Sequence, residues 1–177
     1  MGAETGTAEA GTHGHGTRPP GTVAGKRWRL RAATAADVEP VAELRATVLR
    51  ADLERLGRYD EHRVRQRLRD SFSTEHTSVV VLDGERAGCV TLRPVPTGLL
   101  LEHFYLAAHQ QGHGLGSAVL RTVLKRADAQ GATVRLNVLQ GSAARRLYER
   151  HGFVLESEDP VDVFMLRPPG ADAAPLT

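Results

Sequence analysis

The sequence predicts one α/β (α+β) domain, a mixed and mostly antiparallel sheet of roughly six to seven strands flanked by about four helices. Three observations carry this. Short β-branched runs alternate with stretches of helical period. Two connections, Asp83-Gly84 and Pro96-Thr97-Gly98, are too short to join anything except antiparallel neighbours. One unit, from Leu99 to Leu139, reads strand, glycine-rich turn, helix, strand, which requires a right-handed parallel crossover.

The elements follow in order. Arg27 to Arg31 reads as a first strand. Thr34 or Asp37 can cap a helix running to about Arg50, with Val38, Val41, Leu44 and Val48 on one face. Pro40 is tolerable only in a first turn, which favours Asp37 as the cap. A second helix runs from about Asp60 to Phe72, with Val64, Leu68 and Phe72 four apart and an arginine-rich opposite face. Thr77–Leu82, Arg86–Pro94 and Leu99–Leu106 are the next three strands. The third helix extends from Ser117 to Ala129, carries Leu115, Val119, Val123 and Ala127 on one stripe, and ends at Gly131. Thr133–Leu139 is the fifth strand. Ser142 or a neighbour starts a short helix to Arg150, and the segments Phe153–Glu156 and Val161–Leu166 pair as a last hairpin.

Composition narrows the class of protein. Residues 1–25 hold almost nothing that could form a core and read as a disordered tail; residues 169–177, after Pro168, read as a second short tail. The folded domain is then 26–168. The 23 basic residues against 21 acidic ones are interleaved, so no basic stripe for nucleic acid is evident. No apolar run is long enough to span a bilayer and the start lacks a signal-peptide pattern, so neither a membrane nor export is expected. A lone cysteine, Cys89, suits a reducing cytoplasm and reads as a small core filler. His13 and His15 leave most of a coordination shell empty, and no metal site is expected.

The chemistry concentrates at Gln111-Gly112-His113-Gly114-Leu115-Gly116, between a strand and a helix. The first N–H groups of a helix have no partner within it, and the helix dipole adds positive character there, so the turn suits a phosphate. A dinucleotide fingerprint fails, because Ser117 or Val119 stands where its last glycine belongs; no Gly-Lys-Ser/Thr closes a P-loop either. The pattern that fits is Gln/Arg-x-x-Gly-x-Gly/Ala, read as Gln111, Gly114 and Gly116. It resembles the acyl-CoA loop of the GNAT superfamily, the GCN5-related N-acetyltransferases. Downstream, Ala144, Leu147, Tyr148, Gly152 and Phe153 match a second motif of that superfamily, Ala-x-x-Leu-Tyr-x-x-x-Gly-Phe. The resemblance covers about residues 28 to 167. It departs at Ser142 and Ala143, where the family often has Asn and Pro.

The resemblance implies an acyl-CoA-dependent N-acyltransferase using acetyl-CoA as cosubstrate, acting by direct attack of a primary amine without a covalent enzyme intermediate. It implies that the fourth and fifth strands run parallel but splay, with the pantetheine arm in the gap, pairing with the backbone of Phe104, Tyr105 and Leu106. The pyrophosphate would rest on N–H groups of Gln111, Gly112, His113, Gly114, Leu115, Gly116 and Ser117, and Asn137, Ser142 and Arg145 complete the expected cofactor set. Tyr148 would give a proton to the departing thiolate, against the plainer reading of a core aromatic. Glu102 is the first choice of base, His103 its competitor and a water chain the third option. Trp28 and Tyr59 are placed on the acceptor side, with Asp60 and Glu61 as attractors of a cationic amine. The acceptor is a small-molecule amine or a peptide or protein amine, self-association into a homodimer stays open, and the rival function is a non-catalytic acyl-CoA-binding regulatory module.

Overall fold

The computed structural model describes residues 21–170. Of the proposed tails at 1–25 and 169–177, residues 1–20 and 171–177 lie outside the described residues. The chain forms β1 (Gly21–Val23), β2 (Lys26–Ala32), α1 (Val38–Arg55), α2 (Glu61–Ser71), β3 (Thr77–Leu82), β4 (Glu85–Val95) and β5 (Gly98–Leu106). After these come α3 (Leu115–Ala129), β6 (Val134–Leu139), α4 (Ala144–Glu149), β7 (Val154–Glu158) and β8 (Asp162–Arg167). All strands join one eight-stranded sheet in the order β1-β2-β3-β4-β5-β6-β8-β7. Every pair is antiparallel except β5 with β6. The expected fourth and fifth strands are β5 and β6.

The eighth strand is β1, inside the segment read as tail. Its register with β2 puts Gly21 opposite Trp28, and a Cβ at Gly21 would stand 2.5 Å from the indole Nε1. A glycine there lets the backbone lie against the Trp28 ring, which is buried in the core, away from the acceptor side expected for it.

The sheet separates two apolar layers. α3 lays Leu115, Val119, Leu120, Val123, Leu124 and Ala127 on one face, with Phe153 and Tyr148 of the following segment. α1 and α2 cover the other face, where Val41, Ala42 and Leu68 meet Cys89 and Tyr105. Burial of each large side chain contributes about 1.5–3 kcal/mol, and the periodicity that predicted these stripes is the periodicity that fills the layers.

Asp37 differs from its expected role. It precedes α1 but its side chain makes no cap bond there. Almost fully buried, it accepts two bonds from Arg31 at 2.8 Å each, one from Arg86 at 3.0 Å, and one from the Thr34 N–H at 2.9 Å. Two guanidinium groups, one from β2 and one from β4, outcompete a helix end for one carboxylate. Asp60 does cap α2, accepting from His62 and Arg63 N–H at 3.0 and 2.8 Å. A second ionic node, Arg167 with Asp128 at 2.6 and 3.0 Å, ties β8 to α3.

Candidate active site

β5 and β6 pair only at Leu99–Val134 and Leu100–Arg135. Beyond those positions the strands part, and β6 keeps its full ladder only with β8. The gap opens into a cleft of about 1500 Å³, walled by both strands, the glycine turn, α4 and the α1–α2 layer.

The turn at one end of the gap bares its backbone N–H groups. Gly112 and Gly114 hold φ of +80° and +85°, which L-residues avoid. A Cβ at Gly112 would meet nothing within 4 Å, so backbone conformation rather than crowding calls for glycine there. Gln111 bends back, its Nε2 donating to the Leu106 carbonyl at 2.9 Å, which pins the turn to the end of β5. Among the described residues, no N–H from Gly112 to Ser117 meets a protein acceptor; the first N–H bond of α3 is Ala118 to the Gly114 carbonyl at 3.1 Å. Six donors at a helix start are thus left for a ligand or solvent.

The opposite side of β5 carries a bulge. Cys89 pairs with Tyr105 but Thr91 with Glu102, so β5 holds one extra residue over that stretch. His103 adopts φ +48° there. The insertion reverses the facing of the strand: Leu99 and Leu101 point to the α3 layer, and after it Leu106 does so again, while Tyr105 points to α1. His103 is fixed by three contacts: Nε2 to Ser71 Oγ at 2.9 Å, Nδ1 to Tyr105 Oη at 3.3 Å, and its carbonyl accepting from Cys89 Sγ at 3.1 Å. Desolvation holds its imidazole below the ordinary pKa; Glu102 opposes this, and Arg45 and Arg93 reinforce it. Glu102 also lines the cleft, with Oε1 at 2.6 Å from Arg93 Nε. Tyr105 Oη accepts from Arg45 Nε at 3.0 Å, and burial raises that phenol to about 12.

α4 brings Tyr148 to the cleft. Ser142 Oγ accepts from the Ala144 N–H at 3.3 Å, while the cap position of α4 itself is its neighbour Ala143. The Tyr148 ring stands edge-on to Phe153, centroids 5.7 Å apart. Its hydroxyl has no hydrogen-bond partner among the described residues, and burial raises its pKa further above the phenol range, with the neighbouring Tyr105 adding to the shift.

Most of the expected site residues meet in this cleft: Glu102, Phe104, Tyr105, Leu106, Gln111, Gly112, Gly114, Gly116, Ser117, Asn137, Ser142 and Tyr148 all line it. Leu115 is buried beneath α3 and offers only its N–H. His113 and Arg145 do not line the cleft, and Arg145 Nε pairs with Glu149 at 2.8 Å on the surface of α4. Asn137 gives Nδ2 to Asp162 at 3.0 Å. Tyr59 packs under the Arg50 guanidinium, 5.0 Å from its ring centroid. Sequence reasoning passed over Arg45, Arg63, Arg67 and Ser71, which line the cleft from α1 and α2. The spacing of Arg63 and Arg67, four apart, was visible; the direction of that face was not.

A profile of the acetyltransferase (GNAT) family matches residues 41–153. The chain belongs to the acetyltransferase (GNAT) family and is an N-acetyltransferase of that type. Its fold is similar to that of solved structures. The PaiA N-acetyltransferase of Thermoplasma acidophilum, in complex with coenzyme A, is 20% identical with a TM-score of 0.65, over 80% of this chain and 98% of that one. The ribosomal-protein-S18-alanine N-acetyltransferase of Escherichia coli is 17% identical with a TM-score of 0.63, over 85% and 99%. PH1933 of Pyrococcus horikoshii OT3 is 16% identical with a TM-score of 0.67, over 81% and 99%. No curated protein matches the sequence.

Proposed function

We propose that the cleft binds acetyl-CoA and passes its acetyl group directly to a primary amine. The observation that carries this is the run of six unpartnered N–H groups from Gly112 to Ser117 beside a gap between two parallel strands. These residues fit the cosubstrate: the N–H groups face where a pyrophosphate needs donors, and the open edge of β5 at Phe104, Tyr105 and Leu106 offers backbone groups to the pantetheine amides. Asn137 and Ser142 form the facing wall. Bound acetyl-CoA supplies a thioester carbonyl as the electrophile.

The chain's own residues then handle protons. An alkyl amine with a pKa of about 10.4 arrives protonated and must lose a proton before it attacks. Either Glu102 or His103 can take it, directly or through water. The ion pair with Arg93 occupies one oxygen of the Glu102 carboxylate, which favours His103, an imidazole kept neutral by burial. Tyr148 holds a proton at Oη for the departing thiolate, and its raised pKa keeps it protonated at neutral pH. Cys89 is no nucleophile, since burial raises its thiol to about 12. This supports direct attack over a covalent intermediate.

The test is release of free thiol when the protein is mixed with acetyl-CoA and a panel of amines. Turnover that Tyr148→Phe lowers while coenzyme A still binds supports the reading. Binding without turnover across the panel favours a non-catalytic acyl-CoA-binding module instead.

A further inference from the structure

The four arginines on alternate positions of α2 divide into two pairs with different fates. Arg65 and Arg69 face α1, where Glu43 clamps the first at 2.6 and 3.0 Å and Glu39 the second at 2.8 and 2.9 Å. Arg63 and Arg67 face the cleft, and neither has a carboxylate within ion-pair distance. Both are exposed, and both lie on the same stripe as Ser71, whose hydroxyl holds His103. With a rise of about 1.5 Å per residue, Arg67 and Arg63 stand about 6 and 12 Å along the helix from Ser71. The stripe thus leads away from the bulge along the α2 wall of the cleft.

The carboxylates that line the cleft each hold a hydrogen-bond partner, Asp162 accepting from Asn137 Nδ2 at 3.0 Å. Asp60 is committed to the N–H groups of His62 and Arg63, and Asp159 to those of Val161 and Asp162. Asp52 pairs with Arg55, and Glu102 with Arg93. Among the described residues, a cationic acceptor would find no cleft carboxylate without a hydrogen-bond partner, and an anionic one would find the guanidinium groups of Arg63 and Arg67 outside any ion pair. An oxyanion would find two fork-shaped donors one helical turn apart.

We propose that the acceptor amine carries an oxyanion, a carboxylate or a phosphate, which Arg63 and Arg67 grip while the amine reaches His103. The proposal rests on the acetyltransferase reading above and names the substrate class of that site. It replaces the expectation that Asp60 and Glu61 draw in a cationic amine: Asp60 caps a helix, and Glu61 is exposed and outside the cleft lining.

The experiment follows thiol release from acetyl-CoA with four matched dipeptide amines, alanyl-glutamate, alanyl-phosphoserine, alanyl-glutamine and alanyl-lysine, each blocked as its C-terminal amide so that the second side chain alone differs in charge. An anionic dipeptide is preferred in kcat/KM by about tenfold or more over the neutral one, and alanyl-lysine is the poorest. Whichever anionic dipeptide leads assigns carboxylate or phosphate. The double variant Arg63→Gln, Arg67→Gln raises KM for the anionic dipeptide by about tenfold or more, with the KM for acetyl-CoA unchanged. Arg65→Gln with Arg69→Gln, on the clamped face, keeps the preference. Preference for alanyl-lysine, or a preference that survives loss of Arg63 and Arg67, overturns the proposal while leaving the acetyltransferase reading standing. Coenzyme A binding with no turnover on any dipeptide overturns both.

Discussion

Ser71 Oγ lies 2.9 Å from Nε2 of His103, joining the last residue of α2 to the bulge of β5. The bond couples the acceptor wall to the strand that edges the cofactor gap. It also orients an imidazole whose backbone sits in a conformation that costs a non-glycine residue of order 1 kcal/mol or more.

His103→Asn keeps a residue that tolerates positive φ and removes the imidazole. It lowers kcat by about 10²-fold or more, with coenzyme A affinity retained by calorimetry, whereas Glu102→Gln costs less than about tenfold. Comparable losses in both variants would return the proton-accepting role to Glu102.

His103 also sets a pH dependence. Its pKa lies below the ordinary value of 6.5, so the imidazole stays neutral above that pH and gains a proton only as pH falls through its lowered value. The acid limb of kcat/KM therefore lies below pH 6.5, and His103→Asn abolishes it. A limb above 6.5 contradicts the burial of this group.

Tyr148→Phe removes a hydroxyl with no hydrogen-bond partner among the described residues, so the melting temperature changes little. The kcat falls by about 10²-fold while acetyl-CoA binds as before. An unchanged kcat would show that water or bulk buffer protonates the thiolate.

Gly112→Ala forces an L-residue to φ +80°, with nothing crowding its Cβ. The backbone term alone is about 1–2 kcal/mol, read as a roughly tenfold weaker coenzyme A complex or as lost stability of the turn. Titration calorimetry on the folded variant separates the two. Tight binding with normal stability would show that the turn relaxes without cost.

Asp37→Asn leaves Arg31 and Arg86 facing a neutral amide and lowers stability by about 2–3 kcal/mol in urea titration. Hydrogen bonds from the Arg31 guanidinium hold the Asp37 carboxyl well below the usual carboxylate range, and Arg167 does the same for Asp128. Their contribution is fully present above an unfolded carboxyl pKa of about 3.9 and is lost as pH falls below it. The wild type accordingly loses stability more steeply than Asp37→Asn between about pH 4 and 2.

Sequence reading captured whatever is written over short distances along the chain. The stripes of α1, α2 and α3, the Asp83-Gly84 hairpin and the parallel crossover all depend on neighbours a few residues apart, and all are present. The two motifs located the glycine turn and Tyr148, because each function there belongs to one short segment. β1 escaped because Gly21–Val23 has almost no apolar content, and pairing with the edge of β2 supplies its stability. Asp37 was misread because its real partners, Arg31 and Arg86, come from β2 and β4.

Local periodicity and turn chemistry were enough for the order of the elements from β2 onward, the family and the glycine turn, since these arise from backbone geometry that each segment adopts on its own. The facing of Glu102 and His103 required the bulge, which exists only against β4. The division of α2 into a clamped and an open arginine pair required α1 beside it. A guanidinium is structural or functional according to whether a carboxylate from another element reaches it, and that is settled in space, between residues 22 to 30 positions apart.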